Sequence, residues 1–149
     1  MKTEPDEFSI DDLARKKTAP WDGVRNFQAR NFMKDQMKKG DLILFYHSST
    51  EPKGVAGIAR VFREAHPDPS SWDKKSPYFD PRSKPDKPLW MMVDVEFVEK
   101  FARFVSLEEL KSRPDFGGML VTRRGIRLSV QPVSEDHFNR VIELGRKRD

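Results

Sequence analysis

One short run of this sequence combines residue types that could act on a flat, polar ligand: Trp21-Asp22-Gly23-Val24-Arg25-Asn26-Phe27-Gln28-Ala29-Arg30-Asn31-Phe32. An indole can stack on a base, an amide can read a hydrogen-bonding edge, and a guanidinium can hold a phosphate. The mixture is poor core material, because Arg and Asn are rarely buried without partners. The same run also reads as a loop entering a helix with Trp21 as a core anchor, since an indole more often packs than binds. On the residues alone both readings stand.

Other chemistry is sparse. His47, His66 and His137 lie far apart, and none has the spacing of a metal pair such as His-Glu-x-x-His. His66, before Pro67, and His137, in the first turn of a predicted helix, read as structural and surface residues. His47 precedes Ser48-Ser49, but neighbours on a strand point to opposite faces, so His47 and Ser48 make a poor base–nucleophile pair. A composite site from distant residues stays open. No glycine-rich run ends in Gly-Lys-Ser or Gly-Lys-Thr, and Gly117-Gly118 alone is no dinucleotide fingerprint. The absence of cysteine excludes disulfides, thiolate catalysis and cysteine-based zinc or iron–sulfur sites. No metal, no cofactor and no catalytic residue is expected.

The 149 residues fit one domain with a sizeable core, spanning 1–149. With 36% hydrophobic and 35% charged residues, the surface must be heavily charged. A net charge of +4 and a pI near 9.4 suit a nucleic-acid partner. Basic residues gather at Arg15-Lys16-Lys17, Lys34 with Lys38-Lys39, Arg123-Arg124 with Arg127, and Arg146-Lys147-Arg148. Each cluster also reads as a solvated face, and the last as a frayed tail. No apolar run approaches the roughly 20 residues that cross a bilayer, and no secretory pattern opens the sequence. A monomer in a reducing, cytoplasmic setting is expected, nuclear in a eukaryote, with no membrane partner.

Elements must position these residues. Ser9 caps a short helix from Ile10, with Asp11 and Asp12 at its positive end. Asn26 to Met37 reads as a helix that stops before Gly40. Leu42 to Tyr46 is too apolar and too short for a surface helix and reads as a strand; Val55 to Arg63 reads as a second, bent near Gly54 and Gly57. Ala65 to Pro88 carries six prolines and reads as a loop, ordered by Trp72, Tyr78 and Phe79. In Leu89 to Phe97, Val93, Val95 and Phe97 alternate with Asp94 and Glu96, the pattern of a half-buried strand. Ser106 opens a short helix as a capping box with Glu109. Gly125 to Val130 reads as a strand. Ser134 caps a last helix that buries Phe138, Val141, Ile142 and Leu144. No βαβ rhythm appears, so the expectation is a small bent sheet or partly closed barrel with flanking helices.

The motifs resemble the EVE domain family. The resemblance runs through Lys2-Thr3-Glu4-Pro5, Phe8-Ser9-Ile10-Asp11-Asp12-Leu13, Trp21-Asp22-Gly23-Val24-Arg25-Asn26 and Gly40-Asp41. It continues through Phe45-Tyr46-His47-Ser48, Gly57-Ile58-Ala59, Tyr78-Phe79-Asp80, Trp90, Val93-Asp94-Val95 and Arg127-Leu128-Ser129-Val130-Gln131-Pro132. It implies an α+β, PUA-like fold: a small, bent, mainly antiparallel β-barrel with flanking helices, akin to the YTH domain that reads methylated adenine in RNA. It also implies a non-catalytic reader of a modified nucleobase, of 5-methylcytosine type in DNA or a modified base in RNA. The sequence departs from the family pattern at Thr3, where serine is usual; the added methyl narrows a pocket or shifts its preference. The family also carries an aromatic-rich strand ahead of this motif. Here Met1 stands directly before it, so either the first strand is curtailed or Met1 is an internal methionine used as the start.

The expected base pocket gathers Thr3, Trp21, Gly23, Asn26, His47, Ser48 and Ser129. Trp21 stacks with one ring face partly exposed, Asn26 reads the edge, and Gly23 leaves the entrance free of a side chain. Phosphates fall to Arg25, Arg30 and Arg127, although Arg25 could equally pair with Glu4 or Asp22. Ser129 and Gln131 share one strand face and either line the pocket or bond to backbone. Asp22, Val24, Phe27 and Phe32 read as structural. The alternative is an enzyme acting on a nucleobase-like or nucleoside-like ligand in the same pocket, with His47, Asp22 or Glu4 as acid–base groups.

Overall fold

The computed structural model describes residues 1–148. Three long strands form its centre: β3 (Leu42–His47), β4 (Gly54–Pro67) and β5 (Met91–Ser106). Two short strands flank them, β1 (Lys2–Thr3) beside β3 and β2 (Thr18–Pro20) beside β5, in the order β1-β3-β4-β5-β2. Among the described residues only the β1–β3 pair is parallel. The α+β class with a bent, mainly antiparallel sheet and flanking helices is therefore present. The hydrogen-bonded ladder does not close: β1 and β2 remain its edges. Four register shifts between β4 and β5, the first between Val55 and Gly57, supply the bend.

Alternation along β3 explains its unbroken apolar run. Ile43 and Phe45 enter one apolar cluster, while Leu44 and Tyr46 enter another on the opposite face. Two apolar clusters thus lie on the two faces of one sheet. The first holds Ile10, Leu13, Trp21, Phe45, Val61, Val93 and Val95 inside the bend, under helices α1 (Ile10–Lys16) and α2 (Phe27–Asp35). The second holds Ile58, Phe101 and Val105 beneath α3 (Leu107–Ser112) and α4 (Glu135–Arg146). Gly57 lets α1 close on the sheet: a Cβ there would meet Glu99 O at 2.3 Å and the Ile10 side chain at 3.1 Å.

Helix starts follow the caps. Ser9, Asn26, Ser106 and Ser134 each accept a backbone N–H from the first turn, and Ser9 with Asp12 completes a capping box. Phe138 and Ile142 of α4 are only partly buried, while Val141 and Leu144 are fully so. Two readings need correction. Gly125 to Val130 is turn and loop, not strand; one bond from Lys2 N to Ser129 O ties it to β1, too few to build a ladder. Arg146 does not fray, because it ends α4 and grips both carboxylate oxygens of Glu99. Among the described residues no helix is long and apolar enough to cross a membrane.

Candidate functional site

A cavity of about 670 Å³ opens between β1, the segment after β2, the loop at 127–129 and the 68–88 loop. Backbone bonds around β1 assemble one wall. Thr3 O accepts from Ser48 N at 2.9 Å, and Lys2 N donates to Ser129 O at 2.8 Å. Three segments distant in sequence thereby place Thr3, Ser48, Ser129 and Arg127 on the cavity.

Trp21 forms another wall. Its backbone N–H donates to Val93 O at 2.8 Å, and its ring meets Phe45 at 5.6 Å and 87° and Phe8 at 6.3 Å and 78°. These edge-on contacts fix the indole. It is only 8% exposed, less than a half-open stacking face would be, yet it lines the cavity. Core anchor and cavity wall are one residue.

Asp68 holds the third wall together. Its side chain is fully buried and accepts from Gly23 N at 2.9 Å, Arg25 Nη1 at 3.0 Å, and both Ser70 N and Ser70 Oγ. Burial alone would raise its carboxyl, but the bonds from Ser70, Gly23 and Arg25 bring it below the usual range. Arg25 also donates from Nε to Tyr78 O at 2.9 Å, drawing the long loop over the cavity. Gly23 takes φ +83°, and a Cβ there would lie 2.8 Å from the Tyr78 ring. The space that Gly23 leaves open is thus filled by Tyr78.

Several expected residues are elsewhere. Asn26 does not line the cavity; its Oδ1 is taken by Ala29 N as the α2 cap. His47 does not line it either, because its Nε2 accepts from Ile10 N at 3.1 Å and pins the start of α1. That bond makes Nε2 the unprotonated nitrogen, and burial pulls the imidazole below its usual pKa. Arg30 lies outside, held by Leu89 O and Asn31 Oδ1. Arg25 lines the cavity, but its pairing is with Asp68 rather than Glu4 or Asp22, so its role is to position the loop. Gln131 donates to Leu128 O and shares no strand face with Ser129.

Other residues enter that the sequence reading did not select. Lys2, Glu7, Phe8 and Lys16 line the cavity, as does Tyr78, read only as a loop aromatic; Glu4 and Asp22, named as acid–base groups of the alternative enzyme, line it too. Burial and the neighbouring Asp68 charge raise the Asp22 carboxyl, while burial and Lys53 lower the Lys2 ammonium. Flat walls, hydroxyls, carboxyls and cations therefore converge on one concave space, which suits a polar aromatic ligand. Among the described residues no group of three His, Asp or Glu is placed to hold a metal ion.

Residues 1–144 match the family described as EVE domain. Human thymocyte nuclear protein 1 is 43% identical over 167 residues, covering 99% of this chain and 73% of that protein. A crystal structure of human THYN1 protein in complex with 5-methylcytosine-containing DNA is similar with a TM-score of 0.93. It is 41% identical, with 100% of this chain and 97% of that one covered. A Leishmania major protein is similar with a TM-score of 0.91 at 50% identity, with 97% and 91% covered.

Proposed function

This chain belongs to the EVE domain family, and on that premise we propose that it binds nucleic acid and reads a modified nucleobase drawn into the cavity beside Trp21. The favoured ligand is a base of 5-methylcytosine type in DNA, with a modified base in RNA as the other polymer. The observation that carries the reading is the cavity itself, where the Trp21 indole, the hydroxyls of Thr3, Ser48 and Ser129, and the carboxyls of Glu4, Glu7 and Asp22 meet from distant segments. The human relative crystallised with 5-methylcytosine-containing DNA supports it.

In this reading the base stacks on Trp21, a contact of roughly 1–3 kcal/mol. Asp22 or Glu4 accepts from an exocyclic amine, the usual partner of a carboxylate at cytosine, and Thr3, Ser48 and Ser129 serve the remaining edge. Burying one methyl gains only about 0.8 kcal/mol, while unstacking a base costs a few kcal/mol. Affinity must therefore draw on phosphate contacts, which fall to Arg127, Lys2 and Lys16 at the rim. Nuclear localisation is proposed from the relative's name alone.

We read the site as binding rather than catalytic. The alternative enzyme would rely on Asp22, whose raised carboxyl is the one observation in its favour, or on Glu4. His47 drops out of it, being committed to α1. Titration with oligonucleotides that differ only in the modification tests the reader, with mass spectrometry of the recovered nucleosides to detect turnover. Trp21→Leu keeps apolar bulk in the core and removes the π-face; it is expected to weaken the modified oligonucleotide by roughly 1–3 kcal/mol. Parent-like affinity in a folded Trp21→Leu, or conversion of the nucleoside, would defeat the proposal.

A further inference from the structure

We infer that the exposed ring of Phe27, backed by Trp90 and flanked by the Arg30 and Arg82 guanidinium groups, is a second stacking subsite for a single-stranded nucleic-acid segment. It would hold the nucleotide next to the base taken into the cavity. Its position along the strand rests on the base-reading proposal; its chemistry does not.

Phe27 opens α2 and is 45% exposed, although Trp90 beneath it is 3% exposed. The two rings stack with centroids 4.6 Å apart and planes 18° from parallel. One face of Phe27 is thus satisfied, and the residue still remains exposed. Arg30 lies 4.7 Å and Arg82 6.0 Å from the Phe27 centroid. Neither cation hangs free. Arg30 is held by Leu89 O, and Arg82 by Asp80, whose Oδ2 also accepts from the Trp90 indole at 2.9 Å. Both guanidinium groups are therefore tethered beside the ring before any ligand arrives. That lowers the ordering cost of binding.

A flat π-face beside fixed guanidinium groups matches a nucleotide, which brings a base and a phosphate together. The platform is also linked to the cavity. Arg25 lines the cavity and lies 5.4 Å from the Trp90 ring. Tyr78 and Phe79, on the loop that Arg25 holds, are each 36% exposed. Arg25 thus joins the cavity wall, where Tyr78 lies, to the Trp90 ring that backs Phe27, and a strand leaving a flipped base along that side would meet the platform.

Fluorescence anisotropy with a single-stranded DNA oligonucleotide carrying one 5-methylcytosine tests this, alongside its unmodified twin and free 5-methyldeoxycytidine. Phe27→Leu keeps apolar cover on Trp90 and removes the ring. It is expected to weaken both strands about tenfold, the order of one base–aromatic stack, and to leave the free nucleoside unaffected; Phe27→Trp restores strand binding. A Phe27→Leu protein, folded by circular dichroism, that binds the strands like the parent overturns the platform and leaves base reading intact. Equal weakening of the free nucleoside overturns it as well, by making Phe27 part of the cavity. If the parent binds both strands alike while Phe27→Leu still lowers both, base reading fails and the platform stands.

Discussion

Two cavities of nearly equal size lie on this molecule and differ in what holds them open. The one beside Trp21 encloses about 670 Å³, and a second, between the end of α2, β3 and residues 130–139, about 630 Å³. The second has Phe32, Leu42, Leu44, Val130, Pro132 and Phe138 on its walls, with Gln36, Asp41, Gln131, Glu135 and Asn139 among them, and among the described residues no buried ion pair holds it open. The first depends on a buried carboxylate: Asp68 reaches back to Gly23 and Arg25 and fixes the loop that bears Tyr78. Volume alone does not distinguish a site. Convergent polar groups, maintained against the cost of burying charge, do.

The contrast should break most sharply at Asp68. Asp68→Ala strands the largely buried Arg25 guanidinium and is expected to cost about 3–5 kcal/mol in chemical denaturation. Because the folded Asp68 carboxyl lies below its unfolded value, its stabilisation is whole above about pH 3.9 and drains as the pH falls through the folded value. A parent and variant with equal denaturation midpoints would remove Asp68 from the centre of the site. Gly23→Ala comes next. It forces a side chain into φ +83° and against Tyr78, so a loss of about 1–2 kcal/mol is expected, with a changed preference among modified oligonucleotides. Unchanged stability and preference would mean that Tyr78 does not set the cavity's size.

A smaller, pH-dependent effect belongs to His47. Burial favours its neutral form in the folded state, so the unfolded chain takes up that proton more readily. The contribution is complete above about pH 6.5 and is lost as the pH falls toward the lower folded value. Melting curves between pH 7 and pH 5 should show the parent losing more stability than His47→Gln, which keeps an acceptor for Ile10 N; parallel curves would refute this. The smallest effect should come from the second cavity. Leu42 is 49% exposed, and Leu42→Gln should shift stability by no more than about 0.5 kcal/mol and leave oligonucleotide titrations superimposable on the parent's. A loss of binding there would erase the distinction between the two cavities.

What the sequence disclosed follows the range of each interaction. Caps at Ser9, Asn26, Ser106 and Ser134 act within one turn, so they are visible in a few consecutive residues. The strands at Leu42, Val55 and Met91 show in their apolar patterning. Gly125 to Val130 shows the same pattern without a partner strand, and patterning cannot report a missing partner. Asn26 illustrates a competition: one amide suits a base edge and a helix cap, and the cap three residues away prevails. Asp68 was illegible for the opposite reason. Its partners lie 43 and 45 positions earlier, in a stretch whose arginine had carboxylates nearer at hand. Thr3, Ser48 and Ser129 were identified through resemblance, and only the backbone bonds around β1 explain why they converge.

Tyr78 rests where Gly23 has no side chain, so the cavity's roof and floor belong to separately replaceable parts of the chain. The floor is sheet and core. The roof hangs from the Asp68 carboxyl, the Asp80–Trp90 bond and the Ser71–Ser83 bond. Residues between these anchors could be exchanged without disturbing a single strand pairing. Ligand preference in this architecture is therefore open to change by loop grafting, with the folding problem left already solved beneath it.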